Sequence, residues 1–224
     1  MDIDSFLRSG MELLAASWEY GVEHGEELFR AILDHLWMVG SAVGIALAVC
    51  FPAGTAAAGS RKLSSALMNF LAGIRVIPSL AILFLIVPAL GLSTRSAVFA
   101  LTVLAMPPIF LNTNAAFRTI DGAVLESARG LGMSEQGLFW QVKLPLALPV
   151  VLTGVRTAVV EVTASATLAA FVGSGGLGIY ITRGFALYDL SILLVGAVPV
   201  ALLTLILENL FSITQKIVSP PVHG

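Results

Sequence analysis

The sequence predicts an all-α protein built into a membrane, with about five helices crossing it. Three observations carry that prediction. Hydrophobic residues make up 57% of the chain and charged residues only 12%, against about 25% charged in an ordinary soluble domain, so the apolar excess needs lipid as its solvent. The apolar residues gather in long runs of Leu, Ala, Val, Ile and Gly almost free of charge, the pattern of helices that span about 30 Å of hydrocarbon. Basic residues, in turn, collect on alternate connections between those runs, which fixes an orientation.

The first element is residues 1–34, with eight acidic and two basic side chains, a net charge of -6 that leaves +4 on the remainder. Phe6, Leu13, Leu14, Trp18, Val22, Phe29 and Leu33 recur among the acids at near-helical spacing. That pattern predicts an amphipathic segment at the outer membrane interface. Its acids form either a solvated face or a contact for an external partner. No cleavable signal peptide is expected, because the segment is acidic rather than basic ahead of a short apolar core.

Five apolar runs follow, at 36–59, 67–91, 95–115, 144–172 and 189–214, each long enough to cross a bilayer when helical. Arg61 and Lys62 follow the first run, Arg118, Arg129 and Lys143 lie between the third and fourth, and Lys216 follows the fifth. The opposite side takes the acidic N-terminus, the link at Arg95 and a glycine loop with Arg183. The positive-inside rule then puts the N-terminus outside and the C-terminus in the cytoplasm, as an odd number of crossings requires. The organisation is an external segment 1–34, a membrane domain 35–215 whose longest cytoplasmic connection is 116–143, and a short cytoplasmic tail 216–224. Pro52, Pro78, Pro88, Pro107, Pro108, Pro149 and Pro199 fall within the runs, where they predict kinks at helix contacts or along a polar cavity.

Several chemistries are excluded. Cys50 is the single cysteine and His24, His35 and His223 are scattered, so neither a disulfide framework nor a metal site is expected. Intramembrane serine proteolysis needs a base facing its serine, yet Ser174 has no such partner and His35 sits at the edge of the first run. The stretch FVGSGGLGIY spells G-x-G-x-x-G with Gly173, Gly175 and Gly178. It follows a membrane run, lacks a surrounding βαβ unit and lies outside, so it is not a dinucleotide loop. No G-x-x-x-x-G-K-[ST] occurs either, so nucleotide-driven work needs a separate subunit. No nucleic-acid partner is expected.

The cytoplasmic connection holds LESARGLGMSEQGLFWQVKLPLALP at 125–149. It predicts a short helix from about Asp121 to Leu131, a break at Gly130 and Gly132, and a second helix from about Ser134 to Gln141, with Ser134 as N-cap and Glu135 behind it. Glu126, Ser127 and Ala128, then Gly132, then Val142, Leu144 and Pro145 stand at the spacing Glu-Ala-Ala, three residues, Gly, nine residues, aliphatic, any residue, Leu-Pro. That pattern resembles the cytoplasmic signature of the membrane-spanning permeases of binding-protein-dependent ABC importers, with Ser127 in place of the first alanine. IPSLA at 77–81, LPLALPVVLTGVRTA at 144–158, ATLAAFVGSGGLG at 166–178 and GAVPVALL at 196–203 are similar to the subgroup that imports glycine betaine, choline and carnitine. The similarity covers about residues 30–215, and the acidic N-terminus matches least.

The resemblance implies the type I importer permease fold, with the 116–143 loop as a coupling helix that docks on an ABC ATPase subunit. Small Ser127 and Ala128 would let that helix seat closely, Glu126 would accept charge-assisted hydrogen bonds and Gly132 would permit the bend. The implied partners are two ATPase subunits that use ATP and Mg, a second permease chain, identical or paralogous, an external substrate-binding protein and membrane lipid. The glycine loop of Gly173, Gly175, Gly176 and Gly178 would lie at the outer end of the pathway, allowing tight turns and close approach between two permease chains. Permeases for methionine and other small polar solutes share the plan. A self-contained secondary carrier is the alternative class; it has no use for a docking loop, and no clear internal repeat supports it.

Arg156 and Glu161 lie within the fourth run, where a charge costs several kcal/mol unless it faces protein or water. Five residues are about 500° of helix, so the two do not pair face to face. Arg156 is expected to snorkel or to reach the loop helix. Glu161, read as the one acid in the middle of a span, is expected either to line a polar pathway with Thr157, Ser165, Thr167 and Pro78 and to favour a cationic headgroup, or to hydrogen-bond Asn112 or Asn114 of the third run.

Overall fold

The computed structural model describes residues 3–218, with side chains described from residue 8 onward. The Phe6 side chain, the tail residues 219–224 and His223 among them lie outside the described residues. Among the described residues the chain is helical throughout, without a strand. In order the helices are α1 (Ile3–Glu23), α2 (Gly25–Ala58), α3 (Arg61–Ile74), α4 (Ser79–Leu90), α5 (Thr94–Arg118), α6 (Gly122–Gly130), α7 (Glu135–Leu138), α8 (Leu144–Ser165), α9 (Gly178–Leu187) and α10 (Leu190–Val218). A π-helical turn at Phe139–Lys143 leads into α8, and a 3₁₀ segment at Ala166–Val172 extends it.

Among the described residues four helical runs are long and apolar enough to cross a membrane: Gly25–Ala58, Thr94–Arg118, Glu135–Val172 and Leu190–Val218. The second expected crossing, 67–91, is not one helix but the pair α3 and α4, which adds one more span if taken together. Pro78 explains the break. It offers no N–H and forces its predecessor out of the α region, so the RVIP stretch ends α3 within the run. Pro52, Pro88, Pro107, Pro108, Pro149 and Pro199 lie inside helices. The amphipathic N-terminal stretch is divided between two helices: α1 ends at Glu23, and residues 25–34 are the opening turns of α2.

The chain forms two compact units, and the division falls within α2, α5, α8 and α10. The first comprises Met1–Ala42, Ser79–Leu101 and Val162–Ile206. Its core gathers Ala31, Leu177, Tyr180, Ile192, Val195 and Val200, with Tyr20, Leu28 and Ile32 packed against them. The 3₁₀ segment packs on both α4 and α9. Asp189 caps α10 by accepting from Ser191 N at 2.8 Å and Ile192 N at 3.3 Å, so a single carboxylate satisfies two of the helix's four orphan donors.

The second unit comprises Val43–Pro78, Thr102–Glu161 and Leu207–Gly224. Ala116, Ala147 and Val151 form its apolar centre with Phe51 and Phe117. Rings continue from there: Phe117 stacks on Phe139 at 5.9 Å, and Phe139 meets Trp140 edge-on at 5.2 Å. The aromatic series fixes the π-helical turn on the end of α5. Beside it, Ser64 donates to Asn114 Oδ1 at 2.5 Å, Arg118 donates to Ser64 Oγ at 2.8 Å and Asn114 Nδ2 donates to Gly54 O at 3.1 Å. A Cβ on Gly54 would stand 3.0 Å from Thr113 Cβ, so glycine there lets α2 and α5 approach closely enough for that bond. Gly154 does the same for α8, since its Cβ would meet Pro108 O at 2.6 Å.

Candidate functional site

The connection between α5 and α8 folds as two capped helices, each start satisfied by its own neighbouring side chain. Asp121 Oδ1 accepts from Ala123 N at 2.9 Å and Ser134 Oγ from Gly137 N at 3.2 Å. Between them Gly132 takes φ +83, a left-handed conformation that suits glycine. Its N–H meets Arg129 O at 2.9 Å, and Met133 N meets Ala128 O at 3.3 Å. The second helix does not stop at Gln141: α7 runs through the π-helical turn into α8.

A clamp closes the turn. Glu135 accepts from Arg129 Nε at 2.8 Å and faces Lys143 Nζ at 3.7 Å. The Arg129 guanidinium holds the Glu135 carboxyl below the usual carboxylate range, and the carboxylate raises Arg129 in return. Of the signature residues, Glu126 and Ser127 are exposed whereas Ala128 is buried in the chain's own packing. Val142 and Leu144 are half-buried and Pro145 is exposed. Sequence reasoning missed Leu131, which is 86% exposed at the tip of this turn; a large apolar residue between two glycines was the available signal.

The fourth and fifth crossings share a polar seam within the second unit. Arg156 does not reach the loop helix: its Nη2 donates to Glu208 Oε1 at 2.7 Å. Thus Glu161 is not the one acid of the spans. Glu208, in the ILENL stretch of α10, is the acid that sequence reasoning overlooked. Arg156, Glu208, Glu161, Thr153 and Thr157 line one cavity of about 350 Å³. Gln215 prolongs the seam, donating to Thr153 Oγ1 at 2.8 Å and Pro149 O at 3.2 Å.

Asn112 and Asn114 are engaged elsewhere, on Pro108 O and on the Gly54 and Ser64 pair, so neither bonds Glu161. Among the described residues Glu161 has no hydrogen-bond or ion-pair partner. The cavity therefore carries two carboxylates against one guanidinium. Thr157 donates to Thr153 O at 3.0 Å and lies in this cavity. Pro78 is exposed at the end of the second unit's Val43–Pro78 stretch. Ser165 and Thr167 belong to the other unit.

In the first unit the glycine loop is packed rather than loose. Gly173 and Gly176 have φ of +73 and +91, and Ser174 N closes back on Ala169 O at 3.2 Å. Their close approach is to the chain itself: a Cβ on Gly176 would stand 2.8 Å from Met38 Cε, one on Gly175 2.9 Å from Asp34 Oδ2, and one on Gly178 would overlap the Thr167 carbonyl. Beneath the loop lies His35, fully buried, with Nε2 3.0 Å from Thr163 O. α-Helical bonding ends at Ser165, so carbonyls of the preceding turn need other donors. His35 supplies one for Thr163, and Thr167 Oγ1 another for Ala164 at 2.7 Å.

A sequence profile described as the binding-protein-dependent transport system inner membrane component matches residues 42–223. The chain belongs to that family. The permease is 38% identical over 186 residues, 83% of its length and 85% of the relative's, to the carnitine transport permease protein OpuCB of Listeria monocytogenes. It is 35% identical over 197 residues to the glycine betaine/carnitine/choline transport system permease protein OpuCB of Bacillus subtilis, covering 88% of the permease and 91% of that relative. In fold it is similar to a chain of the MetNI methionine ABC transporter in an inward-facing conformation, with a TM-score of 0.79 at 21% identity over 88% of the permease and 99% of that chain. The permease thus has the type I ABC importer fold, is integral to the inner membrane and serves as a transport subunit.

Proposed function

We propose that this permease forms the translocation pathway for a small osmoprotectant such as glycine betaine, choline or carnitine. The identity to permeases bearing those solutes in their names, 35–38% over most of both chains, is the observation that carries the reading. An external binding protein delivers the solute, and two ABC ATPase subunits supply the work from ATP and Mg. A second permease chain, identical or paralogous, completes the pathway. The N-terminus lies outside and the C-terminus in the cytoplasm, as the basic loops argue. Segment 1–34 is external, 35–215 is the membrane domain and 216–224 is the tail.

Coupling runs through Glu126, Ser127, Ala128, Gly132, Val142, Leu144 and Pro145. Glu126 and Ser127 face the ATPase, Ala128 and the half-buried Val142 and Leu144 transmit its movement, and Gly132 holds the turn. Glu161 and Thr157, with Ser165, Thr167 and Pro78, line the pathway, while Gly173, Gly175, Gly176 and Gly178 shape its outer end. Glu161 is the uncompensated charge of the seam and favours a cationic headgroup.

The test is uptake of labelled glycine betaine, choline and carnitine by cells lacking their other osmoprotectant importers, with and without this gene alongside its native partners. A parallel strain carries Gly132→Val. Uptake that depends on the gene and collapses in the variant supports both solute class and coupling. Uptake of none of the three, with the complex assembled, moves the solute to another small polar molecule such as methionine. Transport that survives deletion of the 122–138 stretch supports a self-contained carrier instead.

A further inference from the structure

The connection between α5 and α8 ends on a surplus residue. In the turn Phe139–Lys143 the helix is π-wound, and Leu144 N bonds Phe139 O, five residues back, where an α-helix bonds four back. Pro145 is the local cause. It has no N–H for Gln141 O, the carbonyl an α-helix would assign to it, and its ring crowds that same carbonyl. A wider turn relieves the crowding by taking in one residue more. Single π turns within α-helices are rare and gather at functional sites.

Two sets of contacts hold the turn as it stands. Phe139 stacks on Phe117 with the ring planes 3° apart, and Phe51 meets Phe117 edge-on at 6.1 Å. Phe117 stands on a fixed base, because its neighbour Arg118 donates to Ser64 Oγ and ties the end of α5 to α3. At the end of the turn, Lys143 Nζ lies 3.7 Å from Glu135 Oε2 at the start of α7. The middle is open: Trp140 and Gln141 are exposed, so rewinding there meets little of the chain's own packing.

Rewinding needs one exchange of partners. When Leu144 N passes from Phe139 O to Trp140 O the turn becomes α-helical, and α7 turns by about 100° and shifts by about 1.5 Å relative to α8. α7 has only four residues, so the surplus runs out within about one turn into the bend at Gly132. The swing carries Phe139 off Phe117 and Glu135 away from Lys143. Two wound states with different contacts give a partner's push something discrete to select.

We propose that the Phe139–Lys143 turn is the joint of the coupling stroke: movement of the loop rewinds it from π to α, and Phe117 and Phe139 are positioning residues that hold its resting state. The proposal rests on the coupling reading of the loop. It names the place where loop movement becomes rotation about α8, the helix that carries Thr153, Arg156, Thr157 and Glu161 of the polar seam.

The test is a distance between nitroxides on Gln136→Cys and Val150→Cys, exposed positions on either side of the turn, with the buried Cys50 replaced by alanine. It uses the complete permease–ATPase complex in lipid nanodiscs, with the labelled pair on one permease chain. Trapping with MgATP and vanadate should change the parent's distance by several ångström. Deleting Gln141 keeps the bond from Leu144 N to Phe139 O but makes it an ordinary α-helical one, so the resting geometry stays and the surplus is gone. That variant should capture the ATPase, show no change of distance on trapping, and lose at least tenfold in uptake of glycine betaine, choline or carnitine per ATP hydrolysed. Gln141→Ala, with the residue count intact, should respond as the parent does. Phe139→Leu, which stays apolar but loses the stack, should populate the trapped distance without nucleotide.

A parent distance that does not move on trapping overturns the joint, and so does a Gln141-deleted complex that moves like the parent. Should the deleted chain fail to assemble, Phe139→Leu decides, and a resting distance equal to the parent's overturns the proposal. The distances need no solute, so they stand whichever solute is carried. A parent that captures no ATPase defeats the coupling reading, whereas capture without movement defeats the joint alone.

Discussion

Arg156 and Glu208, 52 residues apart in sequence, meet at 2.7 Å between two membrane-crossing helices. Neither charge is sealed in, since their side chains are 32% and 40% exposed, and interhelical polar contacts of this kind contribute only about 0.5–1.5 kcal/mol. Their larger effect is on charge balance. Glu208→Gln leaves Arg156 beside Glu161, a neutral cavity; Arg156→Gln leaves two carboxylates and no cation. The second variant should therefore lose more thermal stability than the first, and the double variant should recover part of the loss. A double-mutant cycle of melting temperatures on the purified complex tests this, and strictly additive losses would refute the coupling.

His35 is predicted to be a structural donor for the end of α8. Its Nε2 carries the proton, because Thr163 O can only accept. His35→Leu strands that carbonyl in the core and should cost about 1–3 kcal/mol, seen as a lowered melting temperature. His35→Gln, which retains a donor, should recover part of the loss. Equal losses in the two variants would assign the cost to packing beneath Gly176 rather than to the hydrogen bond.

These pairings mark the boundary of what the sequence makes legible. Asp121 and Ser134 are readable as caps because a cap acts on amides two or three residues away. Gly132 is readable because its duty is a local backbone conformation. Glu208 stands in plain view as an acid in an apolar run, yet its partnership with Arg156 depends on which helices adjoin, and periodicity fixes only the face of one helix. The same holds for His35 with Thr163 and for Ser64 with Asn114 and Arg118. The broken second crossing illustrates a different limit: Arg75 and Pro78 of RVIP are too few to interrupt the apolar run around them in a hydropathy sum, while Pro78 ends the helix through its backbone.

The Arg129–Glu135 clamp predicts a pH response in the loop. Glu135 has its folded-state value lowered by Arg129, so the clamp's contribution is complete at pH above the ordinary glutamate range and is lost as pH falls through the lowered value. A nitroxide attached to the Leu131→Cys variant reports the motion of the turn. Its mobility should rise on acidification, and should be high and independent of pH when Glu135→Gln is added. A mobility that ignores both changes would show that Gly132 and the caps hold the turn unaided.

Leu131 supplies the sharpest test of the docking face. It is 86% exposed on the turn between α6 and α7, so replacing it removes no packing within the chain and should leave permease folding unchanged. An isolated apolar side chain displayed beside exposed Glu126 and Ser127 has the form of an interface anchor, where burial in a partner's pocket contributes about 1.5–3 kcal/mol. Leu131→Ser is therefore expected to weaken capture of the ATPase subunits by about tenfold or more, since 1.4 kcal/mol is a factor of ten. Ala128→Leu is expected to act differently, overpacking a buried position and lowering the melting temperature of the permease itself. Co-purification with the ATPase and melting temperature, measured on both variants, separate the two effects. An ATPase bound normally to the Leu131→Ser permease would exclude this turn as an anchor and shift the docking face toward the exposed Trp140 and Pro145.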